Sequence, residues 1–267
     1  MTDPALRREL LDLATSTAAA AAALIVDGLS RARTSVDTKT TGTDMVTEMD
    51  RASEALILDR LLAARADDAV LGEEGTDRTG TSGVRWIIDP IDGTTNYLYG
   101  HAGFAVSIAA EIDGVIEVGV VHDPLHGEVF TAVRGDGARR NDAPIRASSE
   151  TDLSRALVAT GFSYEPDRRR RQAGVLQQVL PSVRDIRRMG AASVDLCSVA
   201  CGRVDAYFER GLQPWDHAAG ALIATEAGAI VGDLDDGPPR FDFCLAAPPA
   251  LFGPLRSALD AAGARDS

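Results

Sequence analysis

Two aspartates stand at the end of an apolar segment, in the run Trp86-Ile-Ile-Asp89-Pro-Ile91-Asp92-Gly93-Thr94-Thr95-Asn96. Proline between them interrupts regular strand pairing, so both carboxylates and the carbonyl of Ile91 can turn toward one point. Oxygen ligands of this kind are preferred by hard divalent cations such as Mg²⁺. The run therefore predicts a metal site, although an Asx-capped turn between a strand and a helix fits the same letters.

The residues that follow the aspartates are of a kind that binds anions. Gly93 allows the backbone to come close to a ligand. If Thr94 begins a helix, its free backbone N–H groups and the helix dipole favour a phosphate group. A cation and a phosphate would then meet at this turn.

Two further acidic segments could complete such a site. One is Leu71-Gly-Glu73-Glu74-Gly75, and the other is Gln213-Pro-Trp215-Asp216-His-Ala-Ala-Gly220. Taken alone, the first is typical of a solvated turn and the second of a helix cap. Neither segment decides the question by itself.

The elements that must position these residues follow from hydrophobic periodicity. Helices are predicted at 5–29, from about 44 to 65, and at 168–180, 191–201 and 216–227. Strands are predicted at 70–71, 84–88, 104–111, 115–121, 128–133, 156–160, 185–188 and 205–209. The middle strands indicate an antiparallel sheet, and the later alternation indicates helices that cover a second sheet.

The predicted fold class is therefore mixed α+β and α/β, in two halves of the chain. Residues 1–145 would form an α+β half with the Glu73 and Asp89-Asp92 motifs. Residues 146–267 would form an α/β half with Asp216 and the residues that select the substrate. The active site would lie between the halves.

Charge and composition narrow the classes of function. The net charge of −13 argues against nucleic-acid and anionic-membrane binding, because both need basic surface. The apolar run 18–26 lacks the basic leader of a signal peptide and is predicted to be a core helix. Three cysteines, an odd number, do not suggest a disulfide framework, so a reducing cytoplasm is expected.

Together the acidic segments resemble the inositol monophosphatase family, within the lithium-sensitive, Mg-dependent sugar phosphatases. The likeness runs from about Lys39 to about Ala247 and is closest to bacterial, actinobacterial-type inositol-1-monophosphatases. It rests on the run 86–96 and on Trp215-Asp216 with its alanine- and glycine-rich helix. The resemblance implies a layered αβαβα fold and hydrolysis of a small polyol phosphate, with inositol monophosphate as the leading substrate.

The resemblance also implies a set of metal ligands for two to three Mg²⁺ ions. Glu73, Asp89 and the carbonyl of Ile91 would hold the first ion. Asp89, Asp92 and Asp216 would hold the second, where lithium would compete. A third and weaker ion would lie near Glu73, held largely by water.

The same resemblance implies the catalytic roles. Thr94, paired with Asp50, would orient a metal-activated water that attacks phosphorus in line, without a phosphoenzyme, and Glu73 would take part as a ligand. The backbone N–H groups of Gly93 and Thr94 would bind the phosphate oxygens. A water held near Asp216 would protonate the leaving oxygen.

The alcohol part of the substrate would meet Glu209 and the loop that contains Ala192, with Asp92 and Asp216 close by. A metal-organising role for Lys39 is implied by resemblance alone.

Several alternatives stay open at this point. Histidinol-phosphate, fructose-1,6-bisphosphate and 3′-phosphoadenosine phosphate phosphatases share the metal motif. From another class, a protein that contacts the transcription machinery is an alternative. A homodimer is expected from the resemblance. The basic run Arg168–Arg171 is typical of a solvated helix face, and a dimer contact or an entrance for anions is the sharper interpretation.

Overall fold

The computed structural model describes residues 3–29, 36–38 and 45–267, so the prediction for Lys39 and the first residue of the helix predicted from about 44 lie outside the described residues. The helices of this part are α1 (Pro4–Gly28), α2 (Glu48–Ala64), α3 (Thr94–Tyr99), α4 (Pro166–Val179), α5 (Ala192–Ala200), α6 (Pro214–Glu226) and α7 (Pro249–Ala261). The first ten strands are β1 (Val36–Thr38), β2 (Met45–Thr47), β3 (Ala69–Gly72), β4 (Asp77–Arg78), β5 (Val84–Asp92), β6 (Ala105–Ile112), β7 (Val115–Asp123), β8 (Glu128–Val133), β9 (Ala138–Arg140) and β10 (Ala143–Pro144). The later strands are β11 (Leu157–Thr160), β12 (Asp185–Arg187), β13 (Ala206–Glu209), β14 (Ile230–Gly232) and β15 (Cys244–Ala247).

These strands form two large sheets and one two-stranded sheet of β1 and β2. The first sheet has the order β10-β9-β8-β7-β6-β5-β3-β4 and the second has the order β12-β11-β13-β15-β14. Within the first sheet β3 and β5 are parallel, whereas the other neighbours are antiparallel. In the second sheet β11 is parallel to β12 and β13, and β15 is antiparallel to its two neighbours.

The first sheet is buried on both faces, because successive side chains of a strand point to opposite sides. Trp86 and Ile88 of β5 join the core beneath α1 and α2, whereas Ile87 between them joins the core beneath α5 and α6. Helices α5 and α6 also contact the second sheet, whose far side is covered by α4 and α7. The predicted αβαβα layering is confirmed.

Helix α1 is long and apolar enough, by length and composition, to cross a membrane. A core helix of a globular protein passes the same test, and α1 packs against α2 and strands β6 and β7. Its fully buried apolar residues recur every three or four positions, at Leu10, Ala14, Ala18, Ala21 and Ile25. This spacing forms one helix face, so packing against the sheet accounts for the apolar sequence.

The structure corrects several predicted elements. Residues 45–47 form β2, paired with β1, and α2 begins only at Glu48. Strand β5 continues to Asp92 instead of ending before Asp89. The prediction missed strands β14 and β15 and helix α7. The two strands are too short for alternation to be recognised. In chain order, the last strand of the first sheet ends at Pro144 and the first strand of the second sheet begins at Leu157. The division of the chain into two halves at residue 145 stays a prediction.

Candidate active site

The end of β5 brings Asp89 and Asp92 to one side of the sheet. Asp89 pairs with Ser107 of β6, and the register then shifts before Asp92 pairs with Ala105. Pro90 has no N–H to donate, which explains why regular pairing is interrupted between the two aspartates. The Asp89 carboxylate accepts a hydrogen bond from Ile91 N at 3.0 Å, so the irregular turn is closed by a side chain.

The first turn of α6 adds a third carboxylate. Oxygen atoms of Asp89, Asp92 and Asp216 lie within 4.8 Å of one another. Asp216 also accepts a hydrogen bond from Gln213 N at 2.6 Å, so this residue caps α6 and faces the cluster at once. The helix-cap interpretation and the site interpretation of Asp216 are therefore compatible.

The turn after β3 brings Glu73 to the same place. Because β3 and β5 are parallel, Glu73 N reaches the carbonyl of Ile88 at 3.3 Å, directly before Asp89. Carboxylate oxygens of Glu73, Glu74 and Asp50 form a second acidic group within 4.8 Å of one another. Glu73 thus lies between two groups of carboxylates.

The charges of this cluster are costly in the protein alone. Burial, followed by the charges of Glu73, Asp92 and Asp216, raises the pKa of Asp89 well above its ordinary value. Burial also raises the pKa of Asp216, to which Asp92 and Glu73 contribute. The pKa of Asp92 rises from 3.8 to about 6 by burial, although hydrogen bonds from Ser193 oppose the rise.

Buried carboxylates that repel one another are expected where a cation binds, because the cation removes the repulsion. All the donors are oxygen atoms of carboxylates or of a backbone carbonyl, which is the donor set that hard cations such as Mg²⁺ prefer. The residues therefore fit divalent metal ions.

Thr94 begins α3 immediately beside the carboxylates. Its hydroxyl can donate a hydrogen bond to Asp50 Oδ1, at 3.2 Å, or to the carbonyl oxygen of Ile91, at 3.1 Å. Gly93 has φ of +92°, and no side chain caps the first turn of the helix at this residue. The backbone N–H groups at this turn therefore have no competing side-chain acceptor.

Two residues from the second half of the chain face the same space. Glu209, at the end of β13, accepts a 2.6 Å hydrogen bond from the buried hydroxyl of Tyr207. Burial raises the pKa of Glu209, and the Tyr207 bond and the charge of Arg188 oppose this rise. Ala192 begins α5 and offers only a methyl group.

A cavity of about 550 Å³ joins these residues. Its wall includes nine of the ten predicted site residues, namely Glu73, Asp89, Ile91, Asp92, Gly93, Thr94, Ala192, Glu209 and Asp216. Asp50 does not line the cavity and lies behind Thr94. The fold thus gathers in one place residues that are up to 166 positions apart in the sequence.

Sequence reasoning missed three residues that hold this arrangement. Glu54 accepts hydrogen bonds from Glu74 N at 2.9 Å and from the hydroxyl of Thr76 at 2.6 Å, and so fixes the acidic turn. Its position four residues after Asp50, on the same helix face, was a usable signal. Ser193 N, which donates to Asp92 Oδ2 at 2.7 Å, carried no sequence signal because every residue except proline has this group. The third residue is Tyr207, whose hydroxyl donates to Glu209 at 2.6 Å.

Comparison with known proteins identifies the family of this chain. The sequence profile of the inositol monophosphatase family matches residues 6–262. The chain belongs to this family. It is therefore a phosphatase, and the predicted resemblance is confirmed.

Relatives of this phosphatase carry two kinds of name. An inositol-1-monophosphatase of Mycobacterium leprae is 50% identical over 205 residues, which cover 73% of this chain and 70% of that protein. The Nus factor SuhB of Pasteurella multocida is 41% identical over 230 residues, covering 85% of this chain and 86% of that protein. The structure of the extragenic suppressor protein suhB from Bartonella henselae has a TM-score of 0.90 at 36% identity, covering 94% and 98% of the two chains.

Proposed function

We propose that this phosphatase hydrolyses the phosphate monoester of a small polyol in the presence of Mg²⁺, with inositol monophosphate as the leading substrate. The observation that carries the proposal is the cluster of Asp89, Asp92 and Asp216 beside the Gly93-Thr94 turn in one cavity. Relatives named inositol-1-monophosphatase support the choice of substrate.

The metal ligands are proposed as two overlapping sets. Glu73, Asp89 and the carbonyl of Ile91 would hold one Mg²⁺, and Asp89, Asp92 and Asp216 would hold another. A third ion would lie near Glu73. When bound, Mg²⁺ supplies Lewis acidity to the phosphate oxygens and lowers the pKa of water, so that hydroxide is available near neutral pH.

The side chains of this protein then have separate tasks. The Thr94 hydroxyl donates a hydrogen bond to Asp50 at 3.2 Å, which leaves its oxygen free to accept a hydrogen bond from the attacking water and so to orient it. The N–H groups of Gly93 and Thr94 bind the non-bridging phosphate oxygens. The bond from water oxygen to phosphorus forms as the ester bond to the alcohol oxygen breaks. Asp216 holds the water that gives a proton to this leaving oxygen.

The alcohol part of the substrate faces the second half of the chain. Glu209 accepts hydrogen bonds from polyol hydroxyl groups, and its carboxylate is held for this task by Tyr207. Ala192 contributes no hydrogen bond, so selectivity depends on Glu209.

A panel of phosphate esters tests the proposal. Phosphate release would be measured with inositol-1-phosphate, histidinol phosphate, fructose-1,6-bisphosphate and 3′-phosphoadenosine phosphate, each with Mg²⁺ and with EDTA. We expect release from inositol phosphate that EDTA abolishes, and loss of turnover in Asp89→Asn with little loss of folding. Turnover of histidinol phosphate or the nucleotide alone would refute the substrate, and turnover in EDTA would refute the metal requirement.

A second candidate function comes from the relatives named Nus factor SuhB. The chain would then also bind the transcription machinery. Pull-down from a bacterial lysate with the wild type and with Asp89→Asn tests this: RNA polymerase retained by both would support a binding role that is independent of catalysis, and its absence from both would refute that role.

Three finer properties are proposed with this function. The protein acts in the cytoplasm, it forms a homodimer, and lithium inhibits it by competing for the ion held by Asp89, Asp92 and Asp216. Light scattering in solution measures the dimer, and phosphate release in LiCl against NaCl measures the inhibition.

A further inference from the structure

The basic run Arg168–Arg171 in the first turns of α4 has no part in the proposed reaction, yet one of its members faces the cavity. Arg168 lines the cavity wall. Arg170, two residues later, is exposed and donates to Asp167 at 2.7 Å. Because a helix has about 3.6 residues per turn, neighbours in the run point to different sides. The run is thus partly a solvated helix face and partly a wall of the cavity.

Arg168 is held at the rim by two residues from other segments. Its guanidinium carbon lies 5.3 Å from the ring centroid of Phe241. Gly211 N donates to the carbonyl of Phe241 at 2.7 Å, and a Cβ atom placed on Gly211 would come within 3.0 Å of Arg168 Nη1. Glycine therefore leaves the space that the guanidinium occupies. With one face on the ring, the guanidinium still presents its N–H edge to a ligand.

The charge of Arg168 has no carboxylate partner among the described residues, although the side chain is half-buried. The chain has 40 acidic and 27 basic side chains, so a shortage of carboxylates does not explain this. Glu165 also lines the cavity rim, but it forms no ion pair with Arg168 in the described part of the chain. A half-desolvated guanidinium beside an aromatic ring is suited to binding an anion.

Two other arginines of the cavity wall are engaged differently. Burial raises the pKa values of Glu209 and Asp195, and the charge of Arg188 opposes this rise at both residues. Arg210 donates from Nη1 to the carbonyl of Ser267. Arg168 is therefore the arginine of this wall that is best placed to receive an anionic group of the substrate.

The position of Arg168 decides which part of a substrate it meets. Gly211 follows Glu209 by two residues and both line the cavity, so Arg168 stands on the side of the cavity assigned to the alcohol. On the basis of the proposed function, we propose that Arg168 and Phe241 form a second anion subsite for another phosphate group on the polyol. Polyol bisphosphates would then be better substrates than the corresponding monophosphates.

The test compares an inositol monophosphate with an inositol bisphosphate that shares the same scissile phosphate, in Mg²⁺. The wild type is expected to show a ratio of kcat/KM values that favours the bisphosphate by about tenfold or more, through a lower KM, because charge-assisted hydrogen bonds have this strength. In Arg168→Gln the ratio should fall by about tenfold, and Arg168→Lys should keep part of it. The matched control is Arg170→Gln, an exposed arginine of the same helix, which should keep the wild-type ratio.

Equal ratios in the wild type and in Arg168→Gln would overturn the subsite. Absence of Mg²⁺-dependent turnover with both substrates would instead refute the proposed function. In that case, calorimetric binding of the bisphosphate decides the subsite separately: binding about tenfold weaker in Arg168→Gln than in Arg170→Gln would support it, and equal binding would overturn it. Thermal unfolding of each variant checks that the fold is retained.

Discussion

Replacing Asp92 with Asn is expected to abolish turnover and yet to stabilise the metal-free protein. Burial raises the pKa of Asp92 from 3.8 to about 6, so the folded state disfavours its charged form. A neutral amide avoids this cost, and its oxygen can still accept the hydrogen bond from Ser193 N, now 2.7 Å from Asp92 Oδ2. At pH 8 the pKa difference corresponds to a gain of about 3 kcal/mol in the free energy of unfolding.

The sign of the pH dependence follows from the raised pKa of Asp92. A carboxyl group whose pKa is higher in the folded state favours folding at low pH. This contribution is lost as the pH rises from the unfolded pKa of 3.8 through the folded pKa of about 6. Metal-free wild type should therefore lose stability over this range, and Asp92→Asn should lose less. The advantage of the variant should shrink to about 1.5 kcal/mol at pH 5.

Urea unfolding followed by circular dichroism, at pH 5 and pH 8 with EDTA or Mg²⁺, measures these differences. Mg²⁺ should raise the unfolding midpoint of the wild type more than that of Asp92→Asn, because the variant has lost a proposed ligand. The matched control is Asp68→Asn, which changes a buried aspartate bonded to Arg65 Nε at 2.6 Å and should destabilise the protein in either condition. Asp92→Asn less stable than wild type in EDTA at pH 8 would refute the reasoning.

Thr94→Ala should lower kcat by about a hundredfold, because it removes the hydroxyl that orients water; steady-state kinetics with an unchanged kcat would contradict this role. Tyr207→Phe removes the 2.6 Å hydrogen bond to Glu209 and should raise KM for inositol phosphate severalfold with a smaller change in kcat, whereas a changed kcat at constant KM would argue against a positioning role. Gly93→Ala forces φ of +92° on alanine and places a Cβ atom 2.8 Å from the carbonyl oxygen of Gly103, so thermal unfolding should show a loss of about 1–3 kcal/mol. A wild-type melting temperature in that variant would show that the loop can move aside.

Much of the fold followed from local pattern. Long apolar elements such as β5, β6 and α6 were predicted to within a few residues, because each is a long, mostly apolar run. The short β14 and β15 offer too few residues for such a pattern, and the structure shows them as strands through the pairing of β15 with β13 and with β14. Residues 45–47 read as the start of a helix, and pairing with β1 makes them a strand instead.

The candidate site was also predicted in part. The run Asp89 to Thr94 concentrates a proline, a glycine and two carboxylates in six residues, and a spacing this short constrains the backbone by itself. The pairing of Thr94 with Asp50 was expected only by resemblance, and the structure brings their oxygen atoms to 3.2 Å. The roles of these residues in catalysis stay predictions.

By itself, then, the sequence determined the chemical types available: the clustered oxygen donors, the glycine turn beside them and the acidic net charge. Tertiary structure alone decided their surroundings. Burial set the direction of the pKa shifts at Asp89 and Asp92, and the fold brought Arg168 of α4 over Phe241, which lies between β14 and β15. Such effects depend on desolvation and on distances between segments that are remote in the chain. Neither can be obtained from the residues adjacent in sequence.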